Sequence, residues 1–153
     1  MKVMVGGTFD PVHDGHKKLL ERAFALAGPS GEVVIGLTTD SFAGKKTHPV
    51  RSFKERNHNL TAYLDGCRYA AKWTIAPLDD PFGPAVTEDF DALVVSEETI
   101  PGALEINKRR KQQGKRKVDI HQIACVLADD GKWISSTRIL SGEIDDHGRI
   151  ISA

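Results

Sequence analysis

The sequence predicts an α/β fold in which about five parallel strands form a doubly wound sheet with helices on both faces. The first observation behind this prediction is that short apolar runs alternate with amphipathic stretches as far as about residue 127. The second is that glycines and prolines separate many of these runs. The third is size and composition, because 153 residues with 40% hydrophobic and 27% charged side chains suit one domain over residues 1–153 with a buried core.

The apolar periodicity of the N-terminal half predicts its strands and helices. We expect strands over residues 3–5 and 33–37, helices over about residues 16–27 and 52–64, and a polar loop over residues 39–50. The first helix has its apolar side chains on one face and ends at Gly28 and Pro29. The second helix begins at a capping box, because Ser52 is followed three residues later by Glu55.

The C-terminal half continues the same alternation. We expect strands over residues 73–76, 92–95 and 118–127, a loop rich in proline and glycine over residues 77–84, a helix over about residues 101–113, and a short helix from near residue 135. Pro101 suits a first helical position, and Gly114 ends that helix. Together the elements give a Rossmann-like sheet, in which ligands bind beyond the carboxyl ends of the strands where the strand order reverses.

Charge and composition argue against several classes of function. Because 21 Lys and Arg residues balance 21 Asp and Glu residues, no overall charge favours nucleic acid as a partner. The apolar runs are too short to cross a membrane, and the first residues run directly into a strand, so we expect no membrane partner and a cytoplasmic protein. Cys67 and Cys125 make no disulfide framework and are expected to be small buried thiols.

The turn after the first strand has the residues needed for phosphate chemistry. Residues 6–16 read Gly-Gly-Thr-Phe-Asp-Pro-Val-His-Asp-Gly-His, which is neither a dinucleotide fingerprint nor a P-loop. The glycines let the backbone approach a ligand, and the helix that follows offers N–H groups to an anion. His13 and His16 can face one side of the helix and donate to phosphate oxygens. Alternatively, one histidine caps the helix and the other is solvated; the pair has no obvious third ligand for a metal site.

The same residues also carry a resemblance to a known group of enzymes. Residues 7–11 and 13–16 resemble the first signature of the nucleotidyltransferase superfamily, and Ile-Ser-Ser-Thr at residues 134–137 resembles the second. Residues 77–84, 94–99 and 103–107 resemble the archaeal and eukaryotic type of phosphopantetheine adenylyltransferase. The resemblance covers residues 2 to about 148. It implies a nucleotidyltransferase fold in which the two ends of the chain converge on one nucleotide.

The resemblance implies transfer of the adenylyl group of ATP to 4′-phosphopantetheine, giving dephospho-coenzyme A and pyrophosphate, with Mg²⁺ carried on ATP. His16 would stabilise charge on the α-phosphate, and His13 would contact the β- or γ-phosphate. Thr8 and Lys45 would act in catalysis and bind the acceptor phosphate, and no metal ligand is expected from the protein. The residues implied to bind ATP are Gly7, Thr8, Phe9, His13, His16, Ser96, Glu98, Arg109, Ser135, Ser136, Thr137 and Arg138.

Some of these residue assignments have alternatives. Lys46 could act in place of Lys45, and Asp10 could assist the metal or only form the turn. The hydroxyl run over residues 135–137 could be an ordinary helix cap. Leu140 stands where the superfamily often has a basic residue, which makes Arg138 the cation of that turn.

The function has alternatives too. The acceptor could instead be nicotinamide mononucleotide, flavin mononucleotide or glycerol phosphate, or the chain could bind nucleotide without turnover. The basic run over residues 108–117 could bind a diphosphate or nucleic acid, or be a solvated helix end whose cations favour the helix dipole. We expect a monomer.

Overall fold

Five parallel strands form the sheet of the computed structural model, which describes residues 1–43, 50–79, 83–86, 88–97 and 99–151. The strands are β1 (Lys2–Gly7), β2 (Glu32–Thr38), β3 (Lys72–Leu78), β4 (Ala92–Ser96) and β5 (Asp119–Ile123). The helices are α1 (Asp14–Ala27), α2 (Asp40–Ala43), α3 (Phe53–Cys67), α4 (Ile100–Gln112) and α5 (Ser136–Leu140), with a 3-10 turn at Gly83–Val86. The alternation that the apolar runs predict is confirmed.

The strand order of the sheet is β3-β2-β1-β4-β5. The central strand β1 pairs with β2 on one side and with β4 on the other, and Val3 lies beside both Val33 and Ala92. The strand order therefore reverses between β1 and β4, which confirms the doubly wound topology. In such a sheet the ligand cleft opens beyond the carboxyl ends of these two strands, so the residues that follow Gly7 and Ser96 are those to examine.

The core consists of two layers, one on each face of the sheet. On the first face, Val5 of β1 packs with Leu20 of α1 and Leu60 of α3. On the second face, Met4 packs with Ile106 of α4. Neighbouring residues of β1 point to opposite faces because side chains alternate along a strand. This arrangement confirms that helices cover both faces.

The bounds of every strand differ from the sequence prediction by at least one residue, and the differences at the ends of β3 and β5 have a clear physical reason. Pro77, which we expected in a loop over residues 77–84, belongs to β3 and lies beside Leu37 of β2. Proline is tolerated there because β3 is an edge strand and needs no N–H on its open side. The last strand ends at Ile123, and Leu127 instead forms an isolated antiparallel bridge with Trp133. Apolar runs alone do not show where strand pairing stops.

The polar loop predicted over residues 39–50 contains the short helix α2, and residues 44–49 lie outside the described residues. The hydroxyl of Ser52 accepts a hydrogen bond from the N–H of Glu55 at 3.2 Å, which confirms Ser52 as the N-cap of α3. Cys67 and Cys125 are half-buried rather than buried, so that expectation was wrong in degree. None of the helices in the part of the chain described here combines the length and apolarity needed to cross a membrane.

A third, smaller cluster of buried residues holds the C-terminal segment together, with Ala128, Ile134 and Ile144 at its centre. Gly148 closes against this cluster with a φ of 83°. A Cβ on Gly148 would lie 2.8 Å from both Cα of Ala128 and Cδ1 of Ile134. Gly142 has nearly the same φ, 84°, but a Cβ there would meet nothing within 4 Å.

We expect the Gly148→Ala variant to be less stable than the Gly142→Ala variant. Both substitutions place a Cβ on a left-handed residue, which costs about 1–2 kcal/mol. Gly148→Ala adds a clash with the backbone and a buried side chain, so its total loss should exceed about 2 kcal/mol. Urea unfolding of both variants measures the difference, and equal losses would show that the C-terminal cluster yields readily at Gly148.

Candidate active site

The turn between β1 and α1 forms the centre of the site. Thr8 directly follows β1 and retains an exposed fraction of 9%, while the ring of Phe9 is buried. Phe9 has a φ of 50°, an unusual value for a residue with a side chain, and its ring centroid lies 4.6 Å from that of His16. The side chain of Phe9 thus contacts the His16 ring and also packs into the core. Gly7 precedes it, and a Cβ on Gly7 would lie 3.1 Å from the Phe9 ring.

His13 is the N-cap of α1, so the helix begins two residues earlier than the sequence pattern suggests. Its Nδ1 accepts hydrogen bonds from the N–H groups of Gly15 at 3.0 Å and His16 at 3.4 Å. Because Nδ1 accepts, the proton of the neutral ring must be on Nε2. Gly15 is required at this position, because a Cβ there would lie 2.9 Å from Cε1 of His13.

The ring of His16 stacks on that of His13, with 3.8 Å between ring centroids. Its Nδ1 lies 3.3 Å from the backbone N of His13 and 3.2 Å from the carbonyl oxygen of Pro11. Both histidines therefore hold fixed orientations before any ligand binds. The structure confirms that they share one side of the helix. The alternative, in which one histidine caps the helix and the other is solvated, is right about His13 as the cap but not about His16, whose ring is stacked.

Burial lowers the pKa of His13 to about 4, although the nearby carboxylates of Asp14 and Asp146 act in the opposite direction. At neutral pH the ring is therefore uncharged and carries its proton on Nε2. It can donate one hydrogen bond to an anion without bringing a charge of its own. The two N–H groups that donate to Nδ1 polarise the ring and strengthen Nε2–H as a donor.

This pKa predicts a dependence of stability on pH. The unfolded chain has His13 at its ordinary pKa of 6.5, and the folded chain has it at about 4. Between these values the unfolded state binds more protons, so stability should fall as the pH drops from 6.5 to 4, by up to about 3 kcal/mol. His13→Asn keeps an N-capping acceptor but does not titrate, so urea unfolding of this variant should show a flatter pH profile. Identical profiles for both proteins would contradict the assignment.

Arg56 is a buried cation at the carboxyl ends of β1 and β2 that the sequence motifs do not indicate. Its side chain is 0% exposed, and Nη1 donates to the carbonyl oxygens of Thr8 at 3.3 Å and Thr38 at 2.8 Å. A signal for it exists in the sequence, because Arg56 falls at helical spacing with Leu60 and Leu64 on the buried stripe of α3. A charge in such a stripe needs specific partners.

Asp10 connects the turn to the segment that follows residues 44–49. It is 1% exposed, and its Oδ2 accepts a hydrogen bond from the N–H of Arg51 at 2.8 Å. Its Oδ1 lies 3.5 Å from Nε of Arg51 and has no hydrogen-bond partner among the described residues. Lys45 and Lys46 lie outside the described residues.

The end of β4 contributes the second edge of the cleft. Ser96 is buried, and its N–H donates to Oγ1 of Thr99 at 3.1 Å. Glu98 lies outside the described residues. Arg109 is nine residues beyond the start of α4 at Ile100, about 13 Å along the helix axis, and it pairs with Glu105 at 3.2 Å. This placement favours the solvated helix face over an ATP contact for Arg109.

The hydroxyl run near the C-terminus begins α5. The Oγ of Ser135 accepts from the N–H of Arg138 at 3.3 Å, which is the ordinary capping role. The side chains of Ser136 and Thr137 lie outside the described part of the chain. The guanidinium of Arg138 pairs with Asp130 and, at 2.9 Å, with Glu143. Two carboxylates thus already neutralise the cation that the sequence pattern assigns to a triphosphate.

The C-terminal segment nevertheless reaches the histidine turn. The backbone N–H of Asp14 donates to the carbonyl oxygen of Asp146 at 3.1 Å, and Nδ1 of His147 lies 3.0 Å from Oδ1 of Asp14. The two ends of the chain therefore meet at the first turn of α1. They meet through Asp146 and His147, for which no motif in the sequence gives a signal.

Paired histidines follow the two glycines at the end of β1, at the switch point of a doubly wound sheet, which is where the resemblance to nucleotidyltransferases predicts a phosphate-binding site. The sequence model of the cytidylyltransferase-like family matches residues 4–142. The chain belongs to this family and, within it, to the archaeal phosphopantetheine adenylyltransferases.

The relatives that show this closer grouping match nearly the whole chain. The phosphopantetheine adenylyltransferase of Methanosarcina mazei is 49% identical over 150 residues, which cover 97% of this chain and 96% of the relative. That of Archaeoglobus fulgidus is 44% identical over 151 residues, which cover 99% and 100%. A crystal structure of a protein of unknown function from Archaeoglobus fulgidus superposes with a TM-score of 0.73 at 40% identity, covering 80% of this chain and 89% of that one.

Proposed function

We propose that this protein transfers the adenylyl group of ATP to 4′-phosphopantetheine, producing dephospho-coenzyme A and pyrophosphate. The observation that carries the proposal is the near-complete alignment with relatives of that name at 44–49% identity. The site geometry supports the same reaction, because the histidine pair is fixed at the switch point of the sheet, where an anionic substrate would bind.

The reaction needs positioning and charge stabilisation more than a protein nucleophile. An oxygen of the acceptor phosphate attacks the α-phosphorus of ATP, and the bond from that phosphorus to the bridging β-oxygen breaks. Pyrophosphate leaves with the bonding electrons. Negative charge develops on the non-bridging α-oxygens and on the leaving group, so donors fixed in advance lower the barrier.

The two histidines are suited to different parts of this charge. His16 would donate to the α-phosphate, because its ring is held from three sides by Phe9, His13 and Pro11. His13 would donate from Nε2 to a β- or γ-phosphate oxygen. Since His13 is neutral at pH 7, its Nε2–H would donate a hydrogen bond without adding a positive charge to the site.

Thr8 and Lys45 would bind the acceptor. Thr8 lies at the carboxyl end of β1, so its hydroxyl can contact the attacking phosphate or the α-phosphate. Lys45 would reduce the repulsion between the two phosphates as a mobile point charge. The remaining implied ATP contacts are still proposals, and they are those of Gly7, Ser96, Glu98, Arg109, Ser135, Ser136, Thr137 and Arg138. The structure supports the contacts of Arg109 and Arg138 least, because each guanidinium pairs with a nearby carboxylate.

Magnesium would enter with ATP as part of the substrate. Among the described residues, no group of three His, Cys, Asp or Glu side chains is placed to hold a metal ion. Phosphate oxygens and water are the ligands that Mg²⁺ usually keeps beside a nucleotide, and we expect them to supply most of its ligands here. Asp10, whose buried Oδ1 has no hydrogen-bond partner among the described residues, would be the carboxylate of the turn that assists. A monomeric state and a cytoplasmic location also remain proposals, and size-exclusion chromatography with light scattering would measure the first.

The proposed acceptor can be tested with a panel of phosphorylated substrates. The protein is incubated with ATP, Mg²⁺ and one of 4′-phosphopantetheine, nicotinamide mononucleotide, flavin mononucleotide or glycerol phosphate, and pyrophosphate release is followed. We expect release with 4′-phosphopantetheine alone. Release with another acceptor and none with 4′-phosphopantetheine would reject the proposal. ATP binding without release for any acceptor would instead favour a nucleotide-binding module.

A further inference from the structure

The buried guanidinium of Arg56 donates hydrogen bonds from every one of its nitrogen atoms. Nε donates to the carbonyl oxygen of Arg51 at 2.8 Å, and Nη2 donates to Oδ1 of Asp40 at 3.2 Å. Nη1 donates to Oγ1 of Thr38 at 3.1 Å in addition to the two carbonyl oxygens at the strand ends. The group has no acceptor, so each of these bonds has a fixed direction.

This fixed direction determines the orientation of two hydroxyl groups. Because Oγ1 of Thr38 accepts from Arg56, the cation repels the Thr38 proton toward the opposite side of the oxygen. Oγ1 of Thr8 lies there at 3.0 Å and accepts that proton. Thr8 has one proton of its own, and with its oxygen already accepting, this proton is left to donate away from Thr38.

We propose that Arg56 and Thr38 are positioning residues that turn the hydroxyl of Thr8 into a fixed hydrogen-bond donor for substrate phosphate. Neither residue touches the substrate. The proposal deepens the proposed function and rests on it, since the phosphate is that of the acceptor or the α-phosphate of ATP. The site would therefore select an anion at Thr8 and disfavour a ligand that presents a hydrogen-bond donor there.

The charge of Arg56 contributes to the same effect. Its carboxylate partner, Asp40, is 64% exposed, and its Oδ1 also accepts from the N–H of Phe53 at 2.7 Å. Water and the start of α3 thus share the negative charge of Asp40. The cation is therefore incompletely neutralised, and it polarises the chain of hydroxyls that leads to Thr8.

A purely structural role for Arg56 would be to hold α3 against the ends of β1 and β2. Kinetic coupling between Thr38 and Thr8 distinguishes the two roles. We would measure kcat and KM for Thr8→Val, Thr38→Val and the double variant, using pyrophosphate release. Valine matches threonine in shape, so each change removes a hydroxyl and little packing. Thr38→Ser restores the hydroxyl, and Thr74→Val is the matched control, since Thr74 is exposed on the neighbouring strand β3.

We expect each single variant to lose roughly tenfold in kcat with little change in the KM for ATP. The double variant should also lose roughly tenfold rather than a hundredfold, because both changes remove one donor. Thr38→Ser should return kcat to within about twofold of wild type, and Thr74→Val should not change it.

Several results would overturn this inference. A wild-type kcat in Thr38→Val, or losses that multiply in the double variant, would show that Thr38 does not act through Thr8. A loss in Thr38→Ser as large as in Thr38→Val would assign the effect to packing. These results require an active wild-type protein, so they are distinguishable from a wild-type protein that releases no pyrophosphate, which would reject the proposed function and the relay together.

Discussion

We expect the His16→Ala variant to lose about two to three orders of magnitude in kcat while its Kd for ATP rises only a few fold. The expected loss is that of one prearranged donor to charge that develops in the transition state. Ground-state ATP retains its remaining contacts, so binding changes less than turnover. Pyrophosphate release gives kcat, and isothermal titration calorimetry in the absence of acceptor gives the Kd.

His58→Ala provides the matched control for this prediction, because His58 is exposed on α3 and has no place in the site. Its kcat and Kd should equal those of wild type. Equal losses of binding and turnover in His16→Ala would show that His16 holds ATP without favouring the transition state. An unchanged kcat would remove His16 from the catalytic mechanism.

We expect Lys45→Ala to lose about two orders of magnitude in kcat/KM for 4′-phosphopantetheine. The reaction brings two phosphate anions together, and the described part of the turn offers few mobile cations for this. His13 is neutral at pH 7, and Arg56 is buried in its own hydrogen bonds. A lysine in the segment between α2 and α3 would supply the missing charge. The measurement is the rate of pyrophosphate release as a function of acceptor concentration.

Lys46→Ala is the control, since it removes the same charge one residue further along. It should lose less than about threefold, the effect of a solvated surface charge. The reverse result, with Lys46 essential and Lys45 dispensable, would exchange their roles. Losses that are small in both variants would show that the acceptor phosphate is neutralised from elsewhere in the site.

The fold could be predicted because burial imposes a period on the sequence. The apolar runs at residues 3–5 and 33–37 lie at the centre of the sheet, where only a buried strand explains them. The helix caps at Ser52 and Gly28 could also be predicted, because each depends on residues close by in the sequence. Strand ends that depend on pairing between strands were harder to predict. Pro77 belongs to β3 because β3 is an edge strand, and the local sequence does not show which strand forms the edge.

The candidate site was predictable where its residues lie close together in the sequence. The two histidines lie within four consecutive residues, from His13 at the N-cap to His16 in the first turn of α1, so local helix geometry sets their arrangement. Arg56 comes to Thr8 from 48 residues away, so its role depends on tertiary packing, and its sequence signal was only a charge in an apolar stripe. The contact of His147 with Asp14 spans 133 residues and arises in an irregular segment without any pattern.

The central claim is that this site transfers the adenylyl group of ATP to a phosphate oxygen of the acceptor. ATP labelled at the α-phosphorus tests it, with the products of a reaction with 4′-phosphopantetheine separated and counted. We expect the label to appear in dephospho-coenzyme A, with one pyrophosphate released for each label transferred. Label recovered as free AMP or ADP, with none in dephospho-coenzyme A, would contradict it.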